Sequence, residues 1–452
     1  MRDLLVFAIV FGALPFVFKR PHWGIYLWSW IGYMNPHRLS WGFAYTFPFA
    51  FVIAIVTILS FFASSKKLKF FWTPAIGWLV LFNVWMLLTT IFSTNPDDAW
   101  VQWEKVIKIQ FMTFLTLWAL TDREKLHIFV WIIVLSIGFF GYKGGIFTLL
   151  TGGESHVLGP SGSFIEGNTE IGLALVMIVP LIWYLYLHTE NKWIRYGLIS
   201  ALLFIPIGIL GTQSRGAFLA IVAVAVFLWF KSSKKAVIFF ALLLLSPFAF
   251  MAMPQSWHDR MATIETYDED ASAVARLRSW EFGYKMALDR PVLGGGFESF
   301  TTENYQRYVP HQVESGDASF HDYHSIYIEI LAEHGFAGLF IFLMLFLYYW
   351  RTANKIITTV KLTGQNKWAL DLAAMLQVSF IGYAVGGAFL GLAYFDLFYH
   401  FLAILILTQR TLEEKRNLNA SETEHHSDAS NFNQPANPAP AKKKRHRPMA
   451  AE

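Results

Sequence analysis

Long apolar runs dominate this chain and leave few folds open to it. A helix needs about 17–25 predominantly apolar residues to cross a bilayer. The sequence supplies such runs near residues 44–64, 71–94, 126–150, 170–188, 194–211, 216–230, 235–253 and 336–350, with two more inside 370–409. A weaker run lies at 108–122, and the first 35 residues hold either two short spans or one span and an interfacial segment. The expectation is an all-α fold: a polytopic integral membrane protein with about 12 transmembrane helices. No internal repeat is evident, which weighs against a repeat-built transporter.

Composition agrees. Of 452 residues, 55% are hydrophobic and 15% charged, where a soluble domain carries about 25% charged residues. Aromatics reach 17%, a surplus that suits lipid-facing helices and interfacial belts. There is no cysteine, so disulfides, thiolate metal sites and cysteine nucleophiles are excluded. The net charge of +4 is unevenly spread, with basic residues in short loops and at the C-terminus. That distribution is a topology signal and not a nucleic-acid footprint. The first apolar run, Leu4 to Phe18, meets Lys19 and Arg20 without a small-residue cleavage site, and reads as a retained segment.

Lys and Arg set the orientation. Lys66-Lys67-Leu68-Lys69, Lys231 to Lys235 and Arg351 to Lys361 read as cytoplasmic loops. By alternation, segments 35–43, 95–107, 151–169 and 254–335 lie outside. The chain thus divides into N-terminal membrane helices (1–253), a large helical outer loop (254–335), C-terminal membrane helices (336–410) and a tail (411–452). The tail is rich in Asn and Pro, ends in Lys442-Lys443-Lys444-Arg445-His446-Arg447, and reads as disordered and cytoplasmic. In the outer loop, Ala271 to Leu288 has helical spacing, which Pro291 and Gly294-Gly295-Gly296 break. His324 to Glu333 reads as a second helix that continues past Gly335 into a span.

Few residues here could carry chemistry. Arg215 stands at the outer end of a span in Ser214-Arg215-Gly216, either as a snorkelling anchor or as a functional group. Arg276 and Arg278, two apart on a helix, point in different directions, so one can face a ligand while the other is solvated. His321 and His324, three apart, share a helical face. They could pair on a metal with Asp322 or Glu329, but with no other His or Cys cluster nearby a general base is the better use. A structural histidine at the interface is the plain alternative. Fixed guanidinium forks at the membrane edge suit a lipid-linked diphosphate, and an imidazole beside them suits deprotonation of an acceptor hydroxyl. The acidic run Asp268-Glu269-Asp270 reads as a solvated loop and not as a metal motif. Lys105 and Lys108 either assist with phosphate or anchor their helix, and Trp257, Trp280 and Phe297 either stack on sugar rings or belong to the aromatic belt.

These residues carry a family likeness. Gly159-Pro160 through Phe164 and Asn168, then Ser214-Arg215-Gly216, then Arg276-Leu277-Arg278-Ser279-Trp280 with Pro291, Gly294, Gly296 and Phe300, then His324-Ser325-Ile326-Tyr327-Ile328 through Gly335, form an ordered set. The set resembles the O-antigen ligase superfamily, which includes O-antigen polymerases. Tyr33-Met34-Asn35-Pro36-His37-Arg38-Leu39-Ser40-Trp41-Gly42-Phe43 is similar to the O-glycosylation ligase branch associated with exosortase systems. The resemblance implies a GT-C type, inverting glycosyltransferase that needs neither metal nor cofactor. It would sit in the bacterial inner membrane, with its site on the periplasmic face and its C-terminus in the cytoplasm. The implied donor is a glycan on undecaprenyl diphosphate, and the acceptor is lipid A–core, a protein or, in polymerases, another lipid-linked glycan. By position, Arg215 and Arg276 would hold the diphosphate and His324 would activate the acceptor. Arg278, His321, Lys105, Lys108, Asn168 and Tyr327 are the further candidates for substrate contact. The sequence departs from the family at Ser325, where an Asn is usual, and this bears on the acceptor class. A lipid-linked glycan transporter is the competing class. Ion-coupled transporters place charges at mid-membrane, and the central spans here carry almost none.

Overall fold

The first break in the chain sets the pattern for the rest. Helix α1 (Arg2–Lys19) stops at Arg20, which is extended, and α2 (Pro21–Met34) restarts with Pro21 in its first turn. Proline is tolerated there because the first turn has no partner for its missing N–H. The computed structural model describes residues 1–63, 71–231, 253–262, 271–316 and 322–432, with isolated positions between 235 and 251. Among these, every regular element is helical. The chain falls into two units, Met1–Gln409 and Arg410–Glu452.

After two 3-10 turns, Pro36–Leu39 and Phe43–Tyr45, come α3 (Phe49–Ala63), α4 (Pro74–Ile91) and α5 (Pro96–Ala119). Asp3 accepts the backbone N–H of Gly42 and Ala44 at 3.0 and 3.1 Å, tying α1 to the second 3-10 turn. Helix α5 extends the sequence reading. Segment 95–107 is helical from Pro96 on and forms the charged first half of a 24-residue helix whose second half is the weak run at 108–122. Its polar residues Glu104, Lys105 and Lys108 are exposed while Ala99, Val106 and Ile109 are buried, so an apolar count alone hides it.

Next come α6 (Arg123–Leu150), α7 (Asn168–Leu187), α8 (Lys192–Gly211) and α9 (Arg215–Lys231). Helices α6 and α8 approach through glycines, and a methyl at Gly145 would run into the Phe204 carbonyl. Small residues at a helix contact let backbones come close, the usual device where lipid removes the hydrophobic drive. The segment 254–325 holds α10 (Gln255–Ala262), α11 (Ala271–Asp289), α12 (Thr302–Tyr308) and α13 (Pro310–Glu314). Then follow α14 (Ile326–Thr363), α15 (Lys367–Gly386), a 3-10 turn at Gly387–Phe389, and α16 (Asp396–Phe432).

Among the described residues, six helices are long and apolar enough to cross a membrane: α4, α6, α7, α8, α14 and α15. That is fewer than the about 12 read from the apolar runs. Helix α2, at 14 residues, rises only about 21 Å, α9 stops at 17 residues, and α1, α5 and α16 carry charges in or beside their apolar stretches. Much of the run at 235–253 lies outside the described residues. Polarity also misled at the C-terminus: residues 411–432, read as a disordered tail, continue α16 as helix. Leu412, Glu413, Glu414, Lys415 and Arg416 are strong helix formers, and Arg410 pairs with Glu414 at 2.8 Å one turn on. The basic run Lys442 to Arg447 and the loop 66–69 lie outside the described residues.

Aromatic rings fill the space between the C-terminal helices. Tyr349 stacks on Phe380 at 4.9 Å and on Phe398 at 5.8 Å, and Phe398 stacks on Tyr383 at 4.9 Å. Each buried hydroxyl has a carbonyl to bond: Tyr349 donates to Leu376 at 2.8 Å and Tyr383 to Leu392 at 3.0 Å. Such ring pairs contribute about 0.5–1.5 kcal/mol each beyond their buried area.

Candidate active site

Helix α14 is not continuous. Gly335 interrupts it with φ +69° and ψ −175°, a conformation open to glycine and costly to other residues. The break frees the carbonyls of Ala332 and Glu333, which would otherwise accept from the next turn. The Pro291–Gly296 turn meets that need: Gly295 donates to Ala332 and Gly296 to Glu333, each at 2.8 Å, and Phe336 donates to Pro291 at 2.8 Å. Gly294, at φ +64°, lies so close to residues 332–335 that a side-chain carbon would overlap their backbone. The glycines of the 291–296 turn therefore dock it onto the polar end of α14.

That docking walls a cavity of about 160 Å³ lined by Glu298, Asp322, Glu329, Glu333, Tyr394 and Gln102, with Phe164, Phe300, Gly391 and Leu392. Glu329 and Glu333 are 8% and 3% exposed and stand one helical turn apart. Each carboxylate is engaged. Glu333 accepts the Tyr394 hydroxyl at 2.5 Å and the Glu298 N–H at 3.0 Å, and Glu329 accepts the Ala393 N–H at 3.1 Å. Buried charge is tolerated only when paired or hydrogen-bonded. Burial lifts the Glu298 carboxyl above its ordinary range, against the pull of Lys105. Burial likewise pushes Asp322 up to about 6, opposed by backbone donors at His324, Tyr323 and Gly391 and by the Arg276 charge. Glu298 and His324 both hold left-handed backbone, at φ +53° and +50°. Strain of this kind in residues other than glycine gathers at functional sites.

The turn bearing His324 is fixed from three sides. Tyr323 is fully buried beside Phe282, and its hydroxyl meets the Ser299 hydroxyl at 2.7 Å. Its carbonyl accepts the Trp280 indole N–H at 2.9 Å. Trp280 stands one turn after Arg276 on α11, so one helix presents Arg276 and steadies the histidine turn. His324 itself remains about a third exposed. Glu170, in the first turn of α7, lies within electrostatic reach of Asp322, His324 and Arg276 together.

Arg215 opens α9. Ser214 caps that helix, its hydroxyl accepting the Ala217 N–H at 3.2 Å. The preceding turn is pinned to the loop before α7: Asn168 donates to Thr212 at 2.8 Å, Gln213 donates to Gly153 at 2.8 Å, and the Gln213 side-chain oxygen meets His156 at 2.9 Å. Gly216 lies against Phe389, Gly387 against Ile326, and the Trp280 ring lies tilted 6.5 Å from that of Phe389. The 3-10 turn at Gly387–Phe389 is thus a common neighbour of the starts of α9 and α14 and of α11. These are the elements that carry Arg215, Arg276 and, just ahead of α14, His324.

The other candidates are placed as follows. Lys105 is exposed and acts on Glu298, whereas Lys108 pairs with Glu104 at 2.5 Å on the open face of α5. The Asn168 amide and the Tyr327 hydroxyl serve backbone carbonyls, of Thr212 and Ala384 respectively, each at 2.8 Å. The Arg278 carbonyl accepts from Gln312 at 3.4 Å. His321 lies outside the described residues, as do Asp268, Glu269 and Asp270. Trp257 and Phe297 are 2% and 0% exposed, packed against Phe218 and Tyr394, so neither presents an open face to a sugar. The residues that sequence reasoning passed over are Glu170, Glu298, Glu333 and Tyr394. Glu329 and Glu333 do leave a signal, since two like charges four apart at the head of an apolar helix are unfavourable unless something else demands them.

Fold and site together define a polytopic helical membrane protein with a polar, carboxylate-lined cavity that has Arg276 within electrostatic reach. Residues 199–343 match the family model described as O-Antigen ligase, and residues 1–190 match a family of unknown function (DUF5935). The first match supports the O-antigen ligase superfamily and a glycosyltransferase-like activity of the ligase or polymerase type. No curated protein matches the chain.

Proposed function

We propose that this protein transfers a preassembled glycan from undecaprenyl diphosphate to an acceptor hydroxyl, on lipid A–core or on a protein. The reaction would run at the periplasmic face of a bacterial inner membrane, with inversion and without a metal. The observation that supports this most is that Asp322, which lines the cavity, has His324 beside it and Arg276 from α11 and Glu170 from α7 within electrostatic reach, with Arg276, Asp322 and His324 inside the region of the family match. In this reading Arg215 and Arg276 grip the diphosphate through bidentate forks and offset the charge that builds as it leaves. His324 takes the acceptor's proton, and the acceptor oxygen bonds to the anomeric carbon as its bond to the diphosphate breaks. The helices beyond the six long apolar ones also cross or line the membrane, giving a GT-C arrangement of about 12 spans with the Lys- and Arg-rich loops cytoplasmic.

A polymerase would use the same chemistry and differ only in its acceptor, a second lipid-linked glycan. Reconstitution in liposomes with undecaprenyl-diphosphate glycan and three acceptors, lipid A–core, a protein and a second donor molecule, separates the readings. The ligase reading expects product with one of the first two. Product only with the third makes the protein a polymerase. Movement of donor with no new glycosidic bond makes it a transporter and ends the enzyme reading.

A further inference from the structure

We propose that Asp322 positions His324, orienting its ring so that Nε2 carries the lone pair toward the acceptor hydroxyl and offsetting the charge when that nitrogen takes the proton. This rests on His324 being the base and supplies it with a partner.

The geometry is specific. His324 Nδ1 faces Asp322 Oδ2 at 3.7 Å. The backbone N–H groups of Tyr323, His324 and Gly391 favour the charged form of this carboxylate. A side-chain carbon at Gly391 would overlap that carboxylate, so glycine there leaves the space it occupies. Between the two residues Tyr323 is locked by Ser299 and Trp280, and the turn holds His324 in left-handed backbone. An acid facing the nitrogen of an imidazole that does no chemistry is the arrangement that sets tautomer and orientation in hydrolytic triads. A separation of 3.7 Å exceeds a hydrogen bond, and catalytic contacts commonly tighten only when substrate arrives.

The proton balance is simple. The acceptor O–H gives its proton to Nε2, the new C–O bond forms, and the diphosphate leaves with the electron pair. The Nδ1 proton stays on the ring, and Asp322 does not become protonated. The charged groups facing Asp322 are Arg276 from α11, Glu170 from α7, Glu298 from the loop, and Glu329 and Glu333 from α14. With its carboxyl pushed up to about 6, Asp322 is ionised above that pH and loses its charge below it. The offset is therefore present at neutral pH and fades on the acid side.

Asp322→Asn tests this in the reconstituted full-length protein. The amide keeps an oxygen for the backbone donors but removes the charge. The expected result is a fall in kcat of at least about 100-fold, with donor KM within about twofold, because the wrong tautomer and an unsupported imidazolium slow the chemical step. The acid limb of the pH profile should move to lower pH. A wild-type kcat with an unshifted limb overturns the inference. His324→Ala is run beside it: transfer lost in that variant but normal in Asp322→Asn removes only the Asp322 role, whereas normal transfer in both removes the base as well. Should Asp322→Asn fail to fold, Asp322→Glu decides. Its misplaced carboxylate should lower kcat at least about tenfold while keeping the acid limb, and a wild-type kcat overturns the inference.

Discussion

The two halves of α14, on either side of Gly335, are built to opposite rules. Below the break the helix is an aromatic ladder, in which Phe342, Phe346 and Tyr349 meet rings of α15 and α16 and the buried hydroxyls are satisfied by nearby carbonyls. Above it, one short stretch buries Glu329, Glu333 and His334, and their partners come from loops far away in sequence. The lower half needs shape, since rings of about the right size fill it. The upper half needs particular polar atoms at particular places, because a buried carboxylate without donors costs several kcal/mol. The break lets one helix serve both purposes, ending regular packing where the polar cavity begins.

The sharpest way to test that division is to remove the imidazole. His324→Ala should abolish glycan transfer, by about 1000-fold or more, while membrane insertion and detergent stability stay at wild-type values. Transfer assays with size-exclusion profiles check it, and normal transfer removes the base. Next, Arg215→Lys and Arg276→Lys should each lower transfer by about 10- to 100-fold, because a point charge cannot reproduce a planar fork. Donor titrations in liposomes measure this, and wild-type kinetics in both would detach the arginines from the diphosphate.

The break itself comes third. Gly335→Ala places a side chain against the Pro291 and Val292 carbonyls at a positive φ and should cost about 1–3 kcal/mol. It should lower both the thermal midpoint and transfer, since it undocks the loop that frames the cavity. A variant as stable and active as wild type would mean that the glycine turn does not hold the cavity. The smallest effect belongs to the lower half. Tyr349→Phe removes the bond to Leu376 and should cost about 0.5–1.5 kcal/mol with transfer unchanged. Were transfer to fall tenfold instead, the two halves would not be separable.

What the sequence reveals follows the same line. The apolar runs disclose α4, α6, α7, α8, α14 and α15 directly, because burial in lipid or core writes itself as an uninterrupted pattern. Charged Glu104, Lys105 and Lys108 mask the first half of α5, which has no apolar run to disclose it. Between residues 254 and 335, the helix over 271–289 and the glycine turn are legible from spacing and from Pro291. The reason for those glycines is not, since it lies in carbonyls about 40 residues further on. Arg215, Arg276 and His324 stand out as motif residues. Asp322 and Glu329 draw notice only as potential metal ligands, and Glu298 and Glu333 not at all. Their significance depends on Tyr394, Ala393 and Gly391, which only the folded chain brings to them.

The central claim is that the place where the starts of α9 and α14 and α11 meet, around the 3-10 turn at Gly387–Phe389, receives the lipid diphosphate. The most direct measurement is a structure of the reconstituted protein with undecaprenyl diphosphate. Diphosphate density bridging the Arg215 and Arg276 guanidinium groups, with the His324 ring beside it, is the predicted result. Density held elsewhere, with the two arginines and the histidine facing separate compartments, would contradict it.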